Sequence, residues 1–379
     1  MRATFHETAR DGGARTGTVA TARGSFSTPC FMPVGTRGAV RHLSSSDLED
    51  LGVEVMLANT YHLMLRPGAE LVAHIGGIHR FAGWSGHVLT DSGGYQIYSL
   101  GAEISDEGAT FKSTYDGTTH VLTPERAVAV QAAIGADIQM VLDVCPPSTA
   151  DGLVLRAAVD RTGGWAARAR SAFLGGDTAA RQSQVGIVQG GIDLRLRQES
   201  AERVVDIGFD GYAVGGLSVG EDRPDMLPAL DVCTAILPAD QPRYFMGLGD
   251  PIGIVESVAR GIDMFDCVLP TRLARHGTIL TDAGRYNLTR NEFAASDEPL
   301  DPEFPESPAS RWPRGYLRHL LLTKEPTAPR IITLHNLAWL LRFMRRLREA
   351  VGEQRFESFR SRTEAVWRAP DTPQSAPGR

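Results

Sequence analysis

The chain has 379 residues, a formal net charge of −6, 42% hydrophobic residues and 22% charged ones. That balance describes a globular protein with a large core, and the lack of any apolar run near 18 residues long excludes a helical membrane span. The polar start MRATFHETARDGGARTG has no apolar signal segment, so the expected compartment is the cytoplasm.

Eight short apolar runs read as strands. They are CFMPVG (30–35), VEVMLANT (53–60), HVLTDSGG (87–94), IQMVLDVC (138–145), VGIVQGG (185–191), GYAVGGL (211–217), RYFMGLG (243–249) and MFDCVLP (264–270). Helix-like stretches separate most of them, such as PERAVAVQAAIGA after Thr123 and the long run from Asp151. Strand and helix alternating eight times predict an α/β fold, a (β/α)8 TIM barrel. An open doubly wound sheet is the alternative, but no G-x-G-x-x-G follows the first strand. Residues 1–277 are read as the barrel with its N-terminal segment. Residues 278–330 break the pattern with a proline-rich stretch and read as an inserted subdomain. Residues 331–368 close the chain with helices, including one predicted over 334–351, and 369–379 read as a disordered tail.

Three aspartates stand where an apolar run meets a glycine- or proline-rich turn: Asp91, Asp143 and Asp266. Strand tips are where such a barrel carries its chemistry. Converging carboxylates fit glycosidic-bond chemistry, with one as nucleophile and another moving protons. Asp266 lies in an otherwise apolar run, where an ionised carboxylate needs partners or a raised pKa. Asp91 is followed by Ser92, Gly93, Gly94 and Tyr95, which offer bare backbone and a ring for stacking on a planar base; an ordinary helix cap explains this Asp equally well. Asp143 suits two N–H donors of a purine-like edge, or else simply holds its loop. Gln189 and the backbone of Gly215, Gly216 and Leu217 add neutral groups for a nucleobase. Arg272 and Arg275, just after Asp266, are placed to grip phosphates. The chain holds two lysines and 37 arginines, a bias that a GC-rich genome explains without function. The four cysteines (Cys30, Cys145, Cys233, Cys267) form no C-x-x-C pair and read as buried thiols. The histidines have no metal-ligand spacing.

The stretches FMPVGT, NTYHLMLRPG, LTDSGGYQ, TFKSTYDG, LTPERA, GIVQGG, GFDGYAVGGLSVGE, RGIDMFDCVLPTR and RGYLRHL carry a resemblance to the tRNA-guanine transglycosylases of bacteria. They run in that family's order from residue 31 to about residue 336. The resemblance implies exchange of the guanine at the tRNA wobble position for a 7-deazaguanine base, in queuosine biosynthesis. It implies Asp266 as nucleophile, forming a covalent ribosyl-enzyme, and Asp91 as general acid/base. Ser92, Gly93, Gly94, Tyr95, Asp143, Gln189, Gly215, Gly216 and Leu217 would bind the base. The loops Gly247, Leu248, Gly249, Asp250, Pro251, Ile252, Gly253 and Thr271, Arg272, Leu273, Ala274, Arg275 would touch the tRNA. Val219 in GGLSVGE matches the bacterial form, which implies the 7-aminomethyl base rather than queuine. A homodimer is implied as well.

Two departures stand out. The family carries C-x-C-x-x-C after LDPE and a histidine farther on, which together hold zinc. Here the cysteine positions are Phe304, Glu306 and Ala309, and the histidine is His335. One ligand cannot hold a tetrahedral zinc, so no metal or other cofactor is expected. Phe304, Trp312 and the prolines are expected to form a small apolar core instead. The second departure is Val144, where the family usually has Glu. The alternative functions are base exchange on another nucleic acid or a free nucleoside, a non-catalytic partner subunit, and a plain retaining glycosidase.

Overall fold

The computed structural model describes residues 2–368. All eight predicted runs become parallel strands: β1 (Cys30–Gly35), β2 (Val55–Ala58), β3 (His87–Thr90), β4 (Ile138–Met140), β5 (Ser183–Val188), β6 (Gly211–Val214), β7 (Arg243–Phe245) and β8 (Met264–Cys267). They close into one barrel in chain order, with β8 pairing β1 through Asp266 opposite Met32. Closure rules out the open doubly wound sheet. It also explains the composition of the runs: strands covered on both faces read as nearly continuous apolar sequence.

Helices surround the barrel where the sequence placed them. Thr123 caps α2 (Pro124–Ile134) and Asp151 caps α3 (Gly152–Leu174), each through its side-chain oxygen. A short helix, α1 (Thr60–Leu65), follows β2 directly, and α4 (Leu194–Ile207) follows β5. After β7 comes α5 (Pro251–Val258), and after β8 comes α6 (Leu269–Arg275).

Two small sheets were not anticipated. One is antiparallel, built from Thr4–Asp11, Ala14–Thr21 and Gly24–Thr28. From it Arg15 reaches the residue just before β8, where its Nη2 lies 2.6 Å from Asp263 Oδ2, both side chains fully buried. The other spans Glu103–Ile104, Ala109–Lys112 and Thr119–Leu122, and buries Phe111 and Leu122 against Tyr61 of α1.

The region 278–330 forms a hairpin (Thr278–Thr281 with Gly284–Asn287), then α7 (Arg314–Leu322). The next helix, α8 (Thr327–Gly352), begins seven residues before the predicted start at 334. Ala328, Ile331 and Ile332 make this extra stretch amphipathic, and they pack on Ile279, Leu288, Leu300, Ala309 and Leu317. The insertion therefore has a small core of its own, but Ala274 of α6 joins it to the barrel. The final helix, α9 (Phe356–Trp367), is held to α5 by Arg360, whose Nη2 lies 3.0 Å from buried Glu256 Oε1. The tail predicted at 369–379 lies outside the described residues.

Candidate active site

The predicted residues meet at the C-terminal rim of the barrel. Asp266 sits in β8. Its Oδ1 accepts the Tyr244 hydroxyl at 2.5 Å and the Gly247 N–H at 2.7 Å. One carboxylate oxygen is thus fixed from the tip of β7, and the other carries no hydrogen bond among the described residues. Burial raises the Asp266 pKa, while the two donors pull it back toward the charged form.

Asp91 follows β3. Its Oδ2 accepts Asn59 Nδ2 at 2.6 Å, and its Oδ1 accepts the backbone N–H of Thr60 at 2.9 Å and of Gly93 at 3.2 Å. Asn59 works twice, because its Oδ1 also accepts the His62 N–H and caps α1. The Asp91 pKa is pushed up to about 7, chiefly by burial, with repulsion from Asp266 and Asp143 added and the Thr60 and Gly93 bonds opposing. A carboxyl group that titrates near neutrality can both give and take a proton.

Asp143 is held from two sides: Ser92 Oγ donates to Oδ1 at 3.0 Å, and Gln189 Nε2 donates to Oδ2 at 2.7 Å. Burial raises its pKa against these two bonds. The glycines beside it have no room for a side chain. A Cβ on Gly216 would lie 2.2 Å from Gln189 Oε1, one on Gly215 2.9 Å from Gln189 Nε2, and one on Gly94 2.7 Å from Asp143 Oδ1. Gly93 (φ 79°) and Gly216 (φ 64°) also adopt the left-handed backbone that favours glycine. The result is a flat, neutral wall beside two carboxylates. Tyr95, next to Gly94 in the chain, is half-exposed, and Met246 adjoins Gly215. The thiols of Cys145 and Cys267, both pushed up to about 12 by burial, stay protonated and do not compete as nucleophiles.

Several of the predicted residues are buried. Leu217 is in the site only by its backbone, since its side chain packs in the core. In the first RNA loop, Leu248, Gly249, Pro251, Ile252 and Gly253 are buried, and Asp250 caps α5 while pairing with Arg223. Only Gly247 is fully open to a polymer there. In the second, Thr271 and Ala274 are buried, whereas Arg272, Leu273 and Arg275 are half-exposed. Val144, the second departure, is buried among Tyr61, Phe111 and Trp165, where a side-chain carboxylate would meet apolar neighbours.

Sequence reasoning overlooked Arg197. This fully buried guanidinium donates to Gly191 O at 2.7 Å, Val188 O at 3.1 Å, Gly215 O at 2.7 Å and Gly216 O at 3.1 Å. It ties the tips of β5 and β6 into one wall. A signal existed: Arg197, Ser200, Ala201 and Val204 share the buried stripe of α4, so an arginine occupies a core position. Tyr244 was signalled too, because a tyrosine in a buried strand needs a partner for its hydroxyl.

A family model for queuine tRNA-ribosyltransferases matches residues 11–369. The chain belongs to that family. A queuine tRNA-ribosyltransferase of Solidesulfovibrio magneticus is 49% identical over 359 residues, covering 94% of this chain and 96% of the relative. One from Sphingopyxis alaskensis is 46% identical over 370 residues, covering 97% and 99%. One from Nitratidesulfovibrio vulgaris is 47% identical over 366 residues, covering 96% and 97%. Membership makes the chain an enzyme of the pentosyltransferase class, which sets aside the reading as a non-catalytic subunit. No described helix is long and apolar enough to cross a membrane.

The insertion does not offer the donors that a zinc of this family would need. Phe304 is buried under Arg342, whose guanidinium carbon lies 3.7 Å from the ring centre; Ala309 is fully buried and Glu306 is exposed. His335 is fully buried with both ring nitrogens engaged. Nε2 faces the Leu280 carbonyl at 2.9 Å, so it carries the proton, and Nδ1 accepts Ser307 Oγ at 2.7 Å. Burial lowers the His335 pKa to about 4, which keeps the ring neutral.

Proposed function

We propose that this enzyme exchanges the wobble guanine of tRNA for 7-aminomethyl-7-deazaguanine, through a ribosyl ester on Asp266. The observation that carries the reading is the asymmetric grip on Asp266, with Oδ1 held by Tyr244 and Gly247 and Oδ2 left free, beside Asp91, which titrates near 7. Asp266 Oδ2 attacks the ribose anomeric carbon. The C1′–N9 bond breaks, its electron pair stays with guanine, and Asp91 delivers the proton that lets the base leave. The incoming base then gives its N9 proton to Asp91. Its N9 attacks C1′, and the ester bond breaks to return the carboxylate. Two inversions leave the configuration retained. Asp143, Gln189 and the Gly215–Gly216 backbone hold the base edge throughout. A base buried in a stack cannot reach this wall, so the target nucleotide is turned out, as suits an anticodon loop.

Labelled guanine supplied with tRNA tests this reading. Label should enter the tRNA, and denaturation in mid-reaction should trap an RNA–protein adduct that Asp266→Asn lacks. Label that enters free nucleosides but never tRNA would instead favour the nucleoside alternative, and an adduct formed by Asp266→Asn at the wild-type rate would remove Asp266 from its role. Competition between guanine, the aminomethyl base and queuine tests the base; preference for queuine would overturn the part assigned to Val219.

We also propose that the insertion holds no zinc and that Phe304 and the Ser307–His335–Leu280 chain occupy its place. Stoichiometric zinc in protein purified without added metal would overturn this. Pairing of two copies through the insertion is supported by the exposed Tyr316 and Leu322 on α7, and sedimentation of wild type against Tyr316→Glu tests it.

A further inference from the structure

Arg37 follows the tip of β1 and Arg66 follows α1. Both are exposed, yet both lean on one ring. The guanidinium carbon of Arg37 lies 5.5 Å from the centre of Tyr115, and that of Arg66 lies 4.8 Å from it. Arg37 Nε donates to the Tyr115 hydroxyl at 3.1 Å, and His62 Nδ1 contacts the same oxygen at 2.8 Å. Neither arginine forms an ion pair among the described residues. The adjacent carboxylate, Asp116, turns away to Thr118, accepting its hydroxyl at 2.7 Å and its N–H at 3.1 Å. Compare Arg195, 84% exposed but paired with Glu199. Two like charges drawn to one ring, with most of their ten N–H donors open, form a preorganised anion fork.

Its place on the rim gives it meaning. β8, β1 and β2 are neighbours in the barrel, and each is followed by arginine: Arg272 and Arg275, then Arg37 and Arg41, then Arg66. Arg275 is close enough to Arg41 and to Arg272 to feel both electrostatically, as His62 is to Arg37. The opposite sector, after β4 to β6, carries Asp143, Gln189 and the Gly215–Gly216 backbone proposed to hold the base. His62 lies one helical turn from Asn59, which holds Asp91.

We propose that Arg37 and Arg66, set against Tyr115, grip one RNA backbone phosphate, so that the strand runs along an arc over β8, β1 and β2 while its target base turns toward β4 to β6. This rests on the tRNA reading above. The test is binding of an anticodon stem-loop RNA across a salt series by wild type, Arg37→Ala/Arg66→Ala, Arg37→Lys/Arg66→Lys and the control Arg195→Ala. One lost phosphate contact should lower the log–log salt slope of the alanine pair by about 0.7 to 0.9. The lysine pair should keep most of the slope, and the control all of it. In turnover, the alanine pair should raise KM for RNA and leave kcat and the KM for free base unchanged. A wild-type salt slope in the alanine pair would overturn the fork alone, whereas failure of the wild type to bind the stem-loop would sink the tRNA reading with it.

Discussion

The catalytic rim and the insertion solve their problems in opposite ways. At the rim three carboxylates are each anchored by specific donors, Asn59 and Thr60 on Asp91, Tyr244 and Gly247 on one oxygen of Asp266, and Gln189 on Asp143, with Arg197 on the carbonyls behind them. The insertion needs only to hold its shape. There Phe304, the buried Ala309 and one neutral histidine, His335, stand at positions where the family resemblance implies metal ligands. Chemistry at an anomeric carbon tolerates no such exchange of parts, because the reacting oxygen and the proton donor must occupy particular points. Packing is a sum of many small terms and can be rebuilt.

If that contrast is right, substitutions at the rim should cost far more than those in the insertion. Asp266→Asn keeps the shape but loses the proposed nucleophile. It should lower kcat by about a thousandfold or more, with folding intact by circular dichroism; a loss of less than about tenfold would break the comparison at once. Arg197→Met should be next. Four buried carbonyls lose a charged donor, and the denaturant midpoint should report roughly 3 kcal/mol of lost stability together with weaker base binding. An unaffected base affinity would show that the wall is set by the strands alone.

The third prediction concerns pH. In the proposed mechanism Asp91 must be protonated to release guanine, and its pKa is raised to about 7. The single-turnover rate of adduct formation should therefore fall about tenfold per pH unit above 7, and should also fall in acid as Asp266 gains a proton. Asp91→Asn should remove the alkaline limb; persistence of that limb would assign it to another group. Smallest is Ser307→Ala, which takes one hydrogen bond from His335. It should lower stability by about 1 kcal/mol and leave kcat alone, and metal chelators should not shift the Tm of wild type. A large shift with chelators would return the insertion to the metal-built class.

By itself the sequence determined the barrel and its three aspartates. Strands buried on both faces must be apolar, so Asp91, Asp143 and Asp266 at their ends could not be hidden in composition, and the glycine pairs at 93–94, 190–191 and 215–216 marked turns of bare backbone at the strand tips. It also disclosed the missing cysteines, since a ligand set is a matter of residue type and spacing. Only the tertiary structure decided which oxygen of Asp266 is free, because Tyr244 and Gly247 lie about twenty residues before it and approach across a strand pair. Only closure of the barrel set Arg197 behind the tips of β5 and β6 and removed most of the Gly247–Gly253 loop from reach of a polymer. The same closure brought Arg37, Arg66 and Tyr115, separate in sequence, to one place on the rim. Periodicity reports which face of an element is apolar, but contacts between elements depend on the register and angle at which they pack, and those emerge only when the whole chain is folded.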